Sequence, residues 1–343
     1  MKIKKILNYE YLKIKYPINI KRRDKYLFKN EINKKIPNSY CYTFKKILIN
    51  KNSCPRIFNY AILTDFLKFN SLSKFILIKK LILFFLCLKN FLLMKKPNKF
   101  IAKALIVHDR HSENYYHWIT DVLPKIIWAK KNKVFKNYKL VIPEFSNKFQ
   151  IQTIKKITKN YILIDKFTTF EINKLKYLSE FHVSGSPRKI FLNETKKIFI
   201  NKKKSENEYR KIYISRLNTK RRRLKNEKNF TDLLIQKKFK IIETDKLSFQ
   251  QQVNIFNNCS TLVSLHGAGL TNLIWLKKNS NIIEIRDKKD ITLNPYFVLS
   301  QQMGHNYYYH LSEKEHYLNN VFHPDYEINI DKFCKKFSKI LNL

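Results

Sequence analysis

The chain has 343 residues, of which 44% are hydrophobic, including 26 Phe and 20 Tyr. This composition provides enough apolar material for two domains with cores of their own, and it excludes a disordered chain. Its 69 basic and 26 acidic side chains give a formal charge of +43, but only 11 of the basic residues are arginine, and the lysines are spread along the whole sequence. Nucleic-acid-binding proteins gather their charge on one face, so this spread argues against a nucleic-acid partner. The charge leaves open a peripheral contact with an anionic membrane.

The cysteines and the first 30 residues indicate the cellular compartment of the protein. The five cysteines are widely spaced and form no Cys-x-x-Cys pair, which predicts neither a disulfide framework nor a zinc site and fits a reducing compartment. Residues 1–30 are basic and lack the apolar stretch of a signal peptide, so we expect a cytoplasmic protein. Three lysines interrupt the apolar segment Phe75–Met94, and we predict a buried or interfacial helix there instead of a membrane-spanning one.

The sequence pattern of the first half of the chain changes near residue 101. Residues 1–100 show no repeated pattern of strands and helices, and we assign this mixed region to the first lobe. From residue 101 to residue 204, short β-rich runs alternate with longer helical ones, which is typical of parallel α/β architecture. The predicted strands are Ala104–Val107, Lys139–Ile142 and Tyr161–Ile164, and the predicted helices are Asn114–Lys131 and Lys148–Lys159.

A second α/β series follows a polar stretch, Asn201–Tyr209, that predicts a linker. This second lobe occupies residues 205–327. Its predicted strands are Lys211–Ser215, Lys240–Glu243, Thr261–Leu265 and Asn281–Ile285, and its predicted helices are Asn226–Lys237, Ser248–Asn258 and Leu270–Leu276. Residues 328–343 have the pattern of one amphipathic helix, which we expect to pack back across the first lobe.

A glycine-bearing turn follows one of these strands. The segment from Thr261 to Asn272 reads TLVSLHGAGLTN, an apolar strand, then a turn, then the start of a helix, and it contains two of only four glycines in the chain. Glycine lets a backbone approach a ligand closely, and a helix start offers unpaired N–H groups to a phosphate. The alternative is a tight strand-to-helix turn in which the histidine serves only as a cap.

A histidine and an aspartate stand four residues apart in the first lobe. On a helix, this spacing places His117 and Asp121 on one face, one turn apart. A carboxylate beside an imidazole can act as a general base or can orient a histidine that does so. An exposed salt bridge in the first turn of a helix would have the same spacing.

Arginine is concentrated after the first strand of the second lobe. Four of the 11 arginines, Arg216 and Arg221 to Arg223, lie within eight residues of an otherwise lysine-rich chain. Arginine suits bidentate contacts with phosphate in a way that lysine does not, although a solvated basic loop would have the same sequence pattern.

Glu284 lies near the end of the strand after the glycine turn, where a carboxylate could accept hydrogen bonds from ribose hydroxyls or could serve only in packing. The chain has no D-x-D pair of the kind that chelates a metal under a nucleotide diphosphate.

Taken in order, these segments resemble glycosyltransferase family 61, whose members share an H-W-x-x-D-x-L-P segment, an I-S-R strand end, an R-R-x-x-N-E stretch and an H-G-A-G-L-T-N turn. In this chain the four segments are His117–Pro124, Ile214–Arg216, Arg222–Glu227 and His266–Asn272. The resemblance covers about residues 102–310, and the first hundred residues lie outside it.

The resemblance implies a GT-B fold, with two Rossmann-like lobes facing a cleft, and metal-independent transfer with inversion at the anomeric carbon. The donor would be a nucleotide sugar, UDP-linked, the acceptor a saccharide or lipid-linked saccharide, and no cofactor is expected. The chain resembles the bacterial members of the family, which are linked with capsule or lipopolysaccharide assembly at the cytoplasmic face of the membrane.

The same resemblance assigns site residues. The catalytic base would lie on the face of His117 and Asp121, and of the two we favour Asp121, since the neighbouring histidine can set its carboxylate. The residues expected to bind the donor are Arg216, Arg222, Arg223, His266, Gly267, Ala268, Gly269, Leu270, Asn272 and Glu284. The alternative from another functional class is a non-enzymatic protein that binds nucleic acid or another polyanion through its charge and the arginine cluster. That alternative predicts steep salt dependence and no binding of nucleotide sugars.

Overall fold

A computed structural model of the chain describes residues 1–50, 96–109, 111–144, 147–165, 167–200, 209–219, 222–287, 294–316 and 324–342. The chain divides into two units, each with its own core. The first unit comprises Met1–Tyr9 and Pro37–Phe181, and the second comprises Glu10–Ile36 and His182–Leu343. Residues 201–208 of the predicted linker and the whole of the predicted helix Phe75–Met94 lie outside the described residues. Within the described ranges, no helix is both long and apolar enough to cross a membrane.

The first unit is built on a six-stranded sheet. Its strands are β1 (Lys2–Leu7), β4 (Ser39–Asn50), β5 (Lys99–Ile106), β6 (Lys139–Pro143), β7 (Tyr161–Ile164) and β8 (Thr169–Leu178), arranged in the order β1-β4-β8-β5-β6-β7. Strands β8, β5, β6 and β7 are parallel to one another, whereas β4 runs antiparallel to both β8 and β1. The predicted strands after residue 101 are therefore confirmed, and the sheet is mixed because β1 and β4 extend it.

Helices connect the parallel strands of the first unit. Helix α1 (Tyr115–His117) continues through a π-helical turn, Trp118–Val122, into helix α2 (Leu123–Lys131), and helix α3 (Lys148–Ile157) follows β6. The side chain of Asn114 caps the first turn by accepting a hydrogen bond from the Tyr116 N–H. These elements confirm the two helices predicted in this part of the sequence.

The second unit contains a five-stranded sheet in which all strands are parallel. Its strands are β9 (Lys211–Ile214), β10 (Lys240–Ile242), β11 (Thr261–Leu265), β12 (Asn281–Arg286) and β13 (Asn306–Leu311), in the order β10-β9-β11-β12-β13. The chain winds from β9 outward to β10 and then returns to build the sheet in the other direction, which is a doubly wound, Rossmann-like topology. The central strand β11 is buried along its whole length, as expected for a parallel sheet covered on both faces.

The helices of the second unit are α4 (Lys189–Phe199), α5 (Glu227–Gln236), α6 (Phe249–Asn257), a 3₁₀ helix (Ala268–Trp275), α7 (Pro295–Met303) and α8 (Ile330–Leu341). Short pairs β2 (Glu10–Lys13) with β3 (Asn33–Ile36), and β14 (Lys314–His316) with β15 (Asp325–Glu327), complete the unit.

The position of α8 corrects one prediction. Its apolar face, formed by Phe333, Phe337, Ile340 and Leu341, lies in the core of the second unit beside strand residues such as Tyr213 and helix residues such as Phe230. From the sequence, this helix was expected on the first lobe. The amphipathic pattern was correct, but it does not specify which apolar surface the helix covers.

The segment Glu10–Ile36 belongs to the second unit, although the sequence analysis assigned all of residues 1–100 to the first lobe. Part of it runs beside β13, where the Ile18 N–H donates to the Tyr307 carbonyl and the Asn19 side chain bonds the Tyr309 backbone. Phe28 is fully buried and packs edge-on against Phe297 and Tyr307. The segment thus covers the outer edge of the parallel sheet, which would otherwise expose unpaired backbone groups.

Candidate active-site residues in the two units

The strongest cluster of predicted residues lies at the carboxyl edge of the parallel sheet in the second unit. Strand β9 ends at Ile214 and is followed by Arg216, while the adjacent strand β11 ends at Leu265 and is followed by His266. The connections leaving β9 and β11 run to opposite sides of the sheet, so these two strands flank its topological switch point. Doubly wound sheets bind their ligands at this position. Two motifs that are 50 residues apart in sequence therefore meet at the position where sheets of this topology bind ligands.

Arg216 occupies the space that a side chain at residue 267 would fill. A Cβ atom built on Gly267 would lie 2.2 Å from one terminal nitrogen of the Arg216 guanidinium and 3.0 Å from its central carbon. The guanidinium thus packs directly on the backbone of the glycine turn. At Gly269 an added Cβ would lie 3.1 Å from the Ile214 side chain, so this second glycine lets the turn approach strand β9.

Arg222 joins Arg216 beside the turn. The Arg216 Nε donates to the Arg222 carbonyl over 3.0 Å, and the Arg222 guanidinium lies 3.4 Å from the carbonyl of His266. Burial and the neighbouring Arg222 charge both lower the pKa of Arg216, and guanidinium nevertheless keeps its charge at neutral pH. Residue 222 has a left-handed backbone with φ of 57°, an uncommon conformation for a side-chain-bearing residue. Two like charges are thus held close together, an arrangement that a bound anion would stabilise.

Arg223 is engaged differently. Its guanidinium forms two hydrogen bonds, of 3.2 and 3.1 Å, with one carboxylate oxygen of the buried Asp325, and its backbone N–H donates to the other oxygen. These contacts anchor the loop that carries Arg222. Arg221, which completed the predicted cluster, lies outside the described residues.

His266 is held by a buried carboxylate. Its Nδ1 lies 2.5 Å from Glu284 Oε1, and the Tyr307 hydroxyl donates to Glu284 Oε2 over 2.6 Å. Burial alone would raise the pKa of Glu284, but the charge and hydrogen bond of His266, with help from Arg286 and Tyr307, lower it below its usual value. Glu284 is 1% exposed, and both of its oxygens accept hydrogen bonds from protein groups. This corrects the predicted ribose contact, because the carboxylate faces His266 and Tyr307 inside the sheet.

The remaining predicted residues of the turn fall into two sets. Leu270 and Asn272 are fully buried, and the Asn272 side chain bonds the Gly269 carbonyl, Gln252 and Trp275. These contacts fix the start of the 3₁₀ helix. Ala268 and Gly269 keep part of their surface in contact with solvent. Their N–H groups stand at the beginning of that helix, where intrahelical acceptors are missing.

In the first unit, the structure brings His117 and Asp121 together. His117 Nδ1 lies 2.7 Å from Asp121 Oδ2, while the Thr120 hydroxyl donates to Asp121 Oδ1 over 2.6 Å. The pair lies at the junction of α1 and the π-helical turn, a feature that is frequent at functional sites. The side chain of His117 is 26% exposed and that of Asp121 is 10% exposed. Both carboxylate oxygens therefore have protein partners, and the imidazole is the more accessible group.

Two groups that the sequence analysis did not select lie at the carboxyl edge of the first sheet. The buried ammonium of Lys125 forms an ion pair of 3.2 Å with Glu180, just after β8, and lies 3.4 Å from the Val107 carbonyl, just after β5. Beside it, burial lowers the pKa of His108 to about 4, and its Nδ1 has no hydrogen-bond partner among the described residues. A single lysine within the apolar run LPKIIWA was the one sequence signal for this cluster.

Comparison with known protein families identifies the class to which this part of the chain belongs. The model of the family described as Glycosyltransferase 61 matches residues 115–283, a range that contains His117, Asp121, Arg216 and the whole glycine turn. No curated protein sequence matches the chain. Residues 115–283 therefore belong to glycosyltransferase family 61, and the chain is a glycosyltransferase.

Proposed function

We propose that this glycosyltransferase moves a sugar from a UDP-linked donor to a saccharide or lipid-linked saccharide acceptor, with inversion at the anomeric carbon and without a metal ion. The observation that carries the proposal is the packing of Arg216 on Gly267 at the switch point of the parallel sheet. Guanidinium groups and helix-start N–H groups are the chemistry that recognises a diphosphate. The proposal includes the GT-B class, and a role in capsule or lipopolysaccharide assembly by a bacterial protein at the cytoplasmic face of the membrane; these features rest on the family resemblance.

In this proposal the second unit stabilises the leaving group. As the bond between the anomeric carbon and the diphosphate oxygen breaks, negative charge grows on the nucleoside diphosphate. Arg216 and Arg222 would bind that charge, together with the N–H groups of Ala268 and Gly269. Preorganised cations and N–H dipoles stabilise developing charge without reorganising during the reaction.

The first unit would supply the base. We propose that His117 takes the proton of the acceptor hydroxyl as its oxygen attacks the anomeric carbon, and that Asp121 orients the imidazole. This choice reverses the preference drawn from the sequence, because both oxygens of Asp121 accept hydrogen bonds and His117 is the more exposed group. A hydrogen bond from Nδ1–H to a carboxylate leaves Nε2 as the basic nitrogen.

The test is ligand-induced thermal stabilisation with a panel of nucleoside diphosphates and nucleotide sugars, each with and without EDTA. We expect UDP or a UDP-sugar to raise Tm, in EDTA as well, and Arg216→Ala to abolish the shift. Arg210→Ala is the matched control, because Arg210 is exposed and immediately precedes β9, whereas Arg216 follows that strand. Its variant should keep the full shift.

Other outcomes would contradict the proposal. A shift that disappears in EDTA would refute metal-independent donor binding. No shift with any nucleotide, together with tight salt-sensitive binding of DNA or RNA, would favour the polyanion-binding alternative. For a nucleotide sugar that binds, the anomeric configuration of the product, determined by NMR, tests inversion.

A further inference from the structure

Three side chains on three adjacent strands or strand ends form a buried hydrogen-bonded chain behind the glycine turn. The Tyr307 hydroxyl in β13 donates to Glu284 in β12, and Glu284 accepts from His266 at the end of β11. Tyr307 and Glu284 are almost fully buried, at 0% and 1% exposure. Neither can touch a ligand directly, so any effect they have on one passes through His266.

The chain fixes the proton positions on His266. A carboxylate accepts hydrogen bonds and the Tyr307 hydroxyl already donates to its second oxygen, so Nδ1 of His266 must carry the hydrogen that it shares with Glu284. Within the described part of the chain, Nε2 has no hydrogen-bond partner, and it is absent from the buried polar atoms that lack one. A second proton on the imidazole would therefore sit on Nε2, beside the turn that precedes the 3₁₀ helix.

The charged and titratable groups around His266 come from several elements. Arg216 lies over Gly267, the Arg222 guanidinium reaches the His266 carbonyl, and the Tyr296 ring of α7 packs edge-on at 5.0 Å. Burial, and then the charge of Glu284, raise the pKa of Tyr296, so its phenol is neutral. Arg286 acts on the Glu284 carboxylate from the same strand. The charged neighbours of His266 are thus the guanidinium groups of Arg216 and Arg222 and the carboxylate of Glu284.

We infer that Tyr307 and Glu284 are positioning residues that orient His266, so that its Nε2, protonated when the diphosphate of the sugar donor is bound, donates a hydrogen bond to that diphosphate. The inference rests on the proposed donor site. In that complex the protonated His266 is a third cation beside Arg216 and Arg222, and the bound diphosphate compensates their mutual repulsion. The anion also favours the proton, so binding and protonation are linked.

The experiment measures dissociation constants by isothermal titration calorimetry for UDP and, in parallel, for inorganic diphosphate, which has no base. Measurements run from about pH 5.5 to 8, the range in which histidine titrates. Free UDP and free diphosphate titrate identically whichever protein is present. The ratio of the variant and wild-type constants therefore reports only the protein groups.

The variants are Glu284→Gln, Tyr307→Phe and the matched control Tyr309→Phe. Tyr309 lies two residues along the same strand, is equally buried, and donates its hydroxyl hydrogen bond to Asp24 instead. We expect Glu284→Gln to weaken binding roughly tenfold and to change its pH dependence, because the imidazolium loses its counter-charge. Tyr307→Phe should weaken binding a few-fold, while Tyr309→Phe lowers Tm to a similar extent and leaves affinity and pH profile unchanged.

The results separate this inference from the donor site itself. If Arg216→Ala loses binding while Glu284→Gln and Tyr307→Phe keep wild-type affinity and pH profile, the donor site stands and the positioning role is refuted. Equal losses in Tyr307→Phe and Tyr309→Phe would also refute it, since a general packing defect would explain both. If Glu284→Gln does not fold, the two tyrosine variants still decide. Failure of the wild-type protein to bind either probe would overturn the proposed function, and the inference with it.

Discussion

The packing of Arg216 on Gly267 makes Gly267→Ala a sharp perturbation of the donor site. The new Cβ would lie 2.2 Å from a guanidinium nitrogen, whereas ordinary van der Waals contact begins at 3.4 Å, so the guanidinium must retreat by about 1 Å. The clashing atoms belong to the far end of a flexible side chain, and the backbone of residue 267 is extended at φ of 167°. We therefore expect little change in Tm, since the arginine can swing away without disturbing the core.

The effect on binding should be much larger than the effect on folding. Losing a hydrogen bond to a charged group costs about 1.5–3 kcal/mol, which corresponds to roughly a 10- to 100-fold weaker Kd for UDP. Calorimetry on Gly267→Ala, Arg216→Ala and the double variant forms a double-mutant cycle. If the alanine acts by displacing Arg216, the double variant binds no more weakly than Arg216→Ala alone. Losses that add across the cycle, or wild-type affinity in Gly267→Ala, would refute the reasoning.

Three further changes test other parts of the structure. Asp121→Asn should lower the rate of sugar transfer about 10²- to 10⁴-fold, because His117 loses its orienting carboxylate. UDP should still raise the Tm of this variant as it does in the wild type. Near-normal turnover would contradict the role of Asp121. Phe28→Ala should destabilise the second unit by about 3–5 kcal/mol in urea denaturation, since Phe28 is fully buried against that unit, and a loss below 1 kcal/mol would argue against the packing. Burial lowers the pKa of His305 from 6.5 to about 4, so the unfolded chain binds this proton at a higher pH than the folded chain does. The free energy of unfolding should therefore fall by about 2 kcal/mol between pH 7 and 5 on account of His305. In urea denaturation, the free energy of unfolding of His305→Gln should depend less on pH over this range.

The strands predicted from the sequence are those with unbroken apolar runs. Tyr161–Ile164 and Thr261–Leu265 were predicted with their observed bounds, because such runs suit strands buried on both faces. Strands β4 and β8 were not predicted, although they form the longest pairing in the first sheet. Their sequences, SYCYTFKKILIN and TFEINKLKYL, contain lysines that interrupt the alternation, and in a chain so rich in lysine this pattern does not stand out.

The motifs of the candidate site could be located from the sequence, but the partners of several residues could not. His117 and Asp121 are four residues apart on a helix, and this local spacing was enough to predict their contact. The contact between Glu284 and Tyr307 depends on the register of β12 and β13, in which Tyr307 stands opposite Ile282 and Tyr309 opposite Glu284. The hydrogen bond is thus a diagonal contact across the ladder, which composition and periodicity do not specify.

The scarcity of glycine gains a physical meaning from these positions. Gly185 and Gly304 have φ of 85° and 76°, in the left-handed region that side chains rarely adopt, so their backbone conformation favours glycine. Gly267 has an extended backbone that any residue could adopt, and what it lacks is room for a Cβ beneath Arg216. The turn was expected to let a ligand approach its backbone, whereas in the structure the Arg216 guanidinium fills that space. Gly267 thus provides space and not a special conformation, because its missing side chain leaves room for the Arg216 guanidinium on the turn.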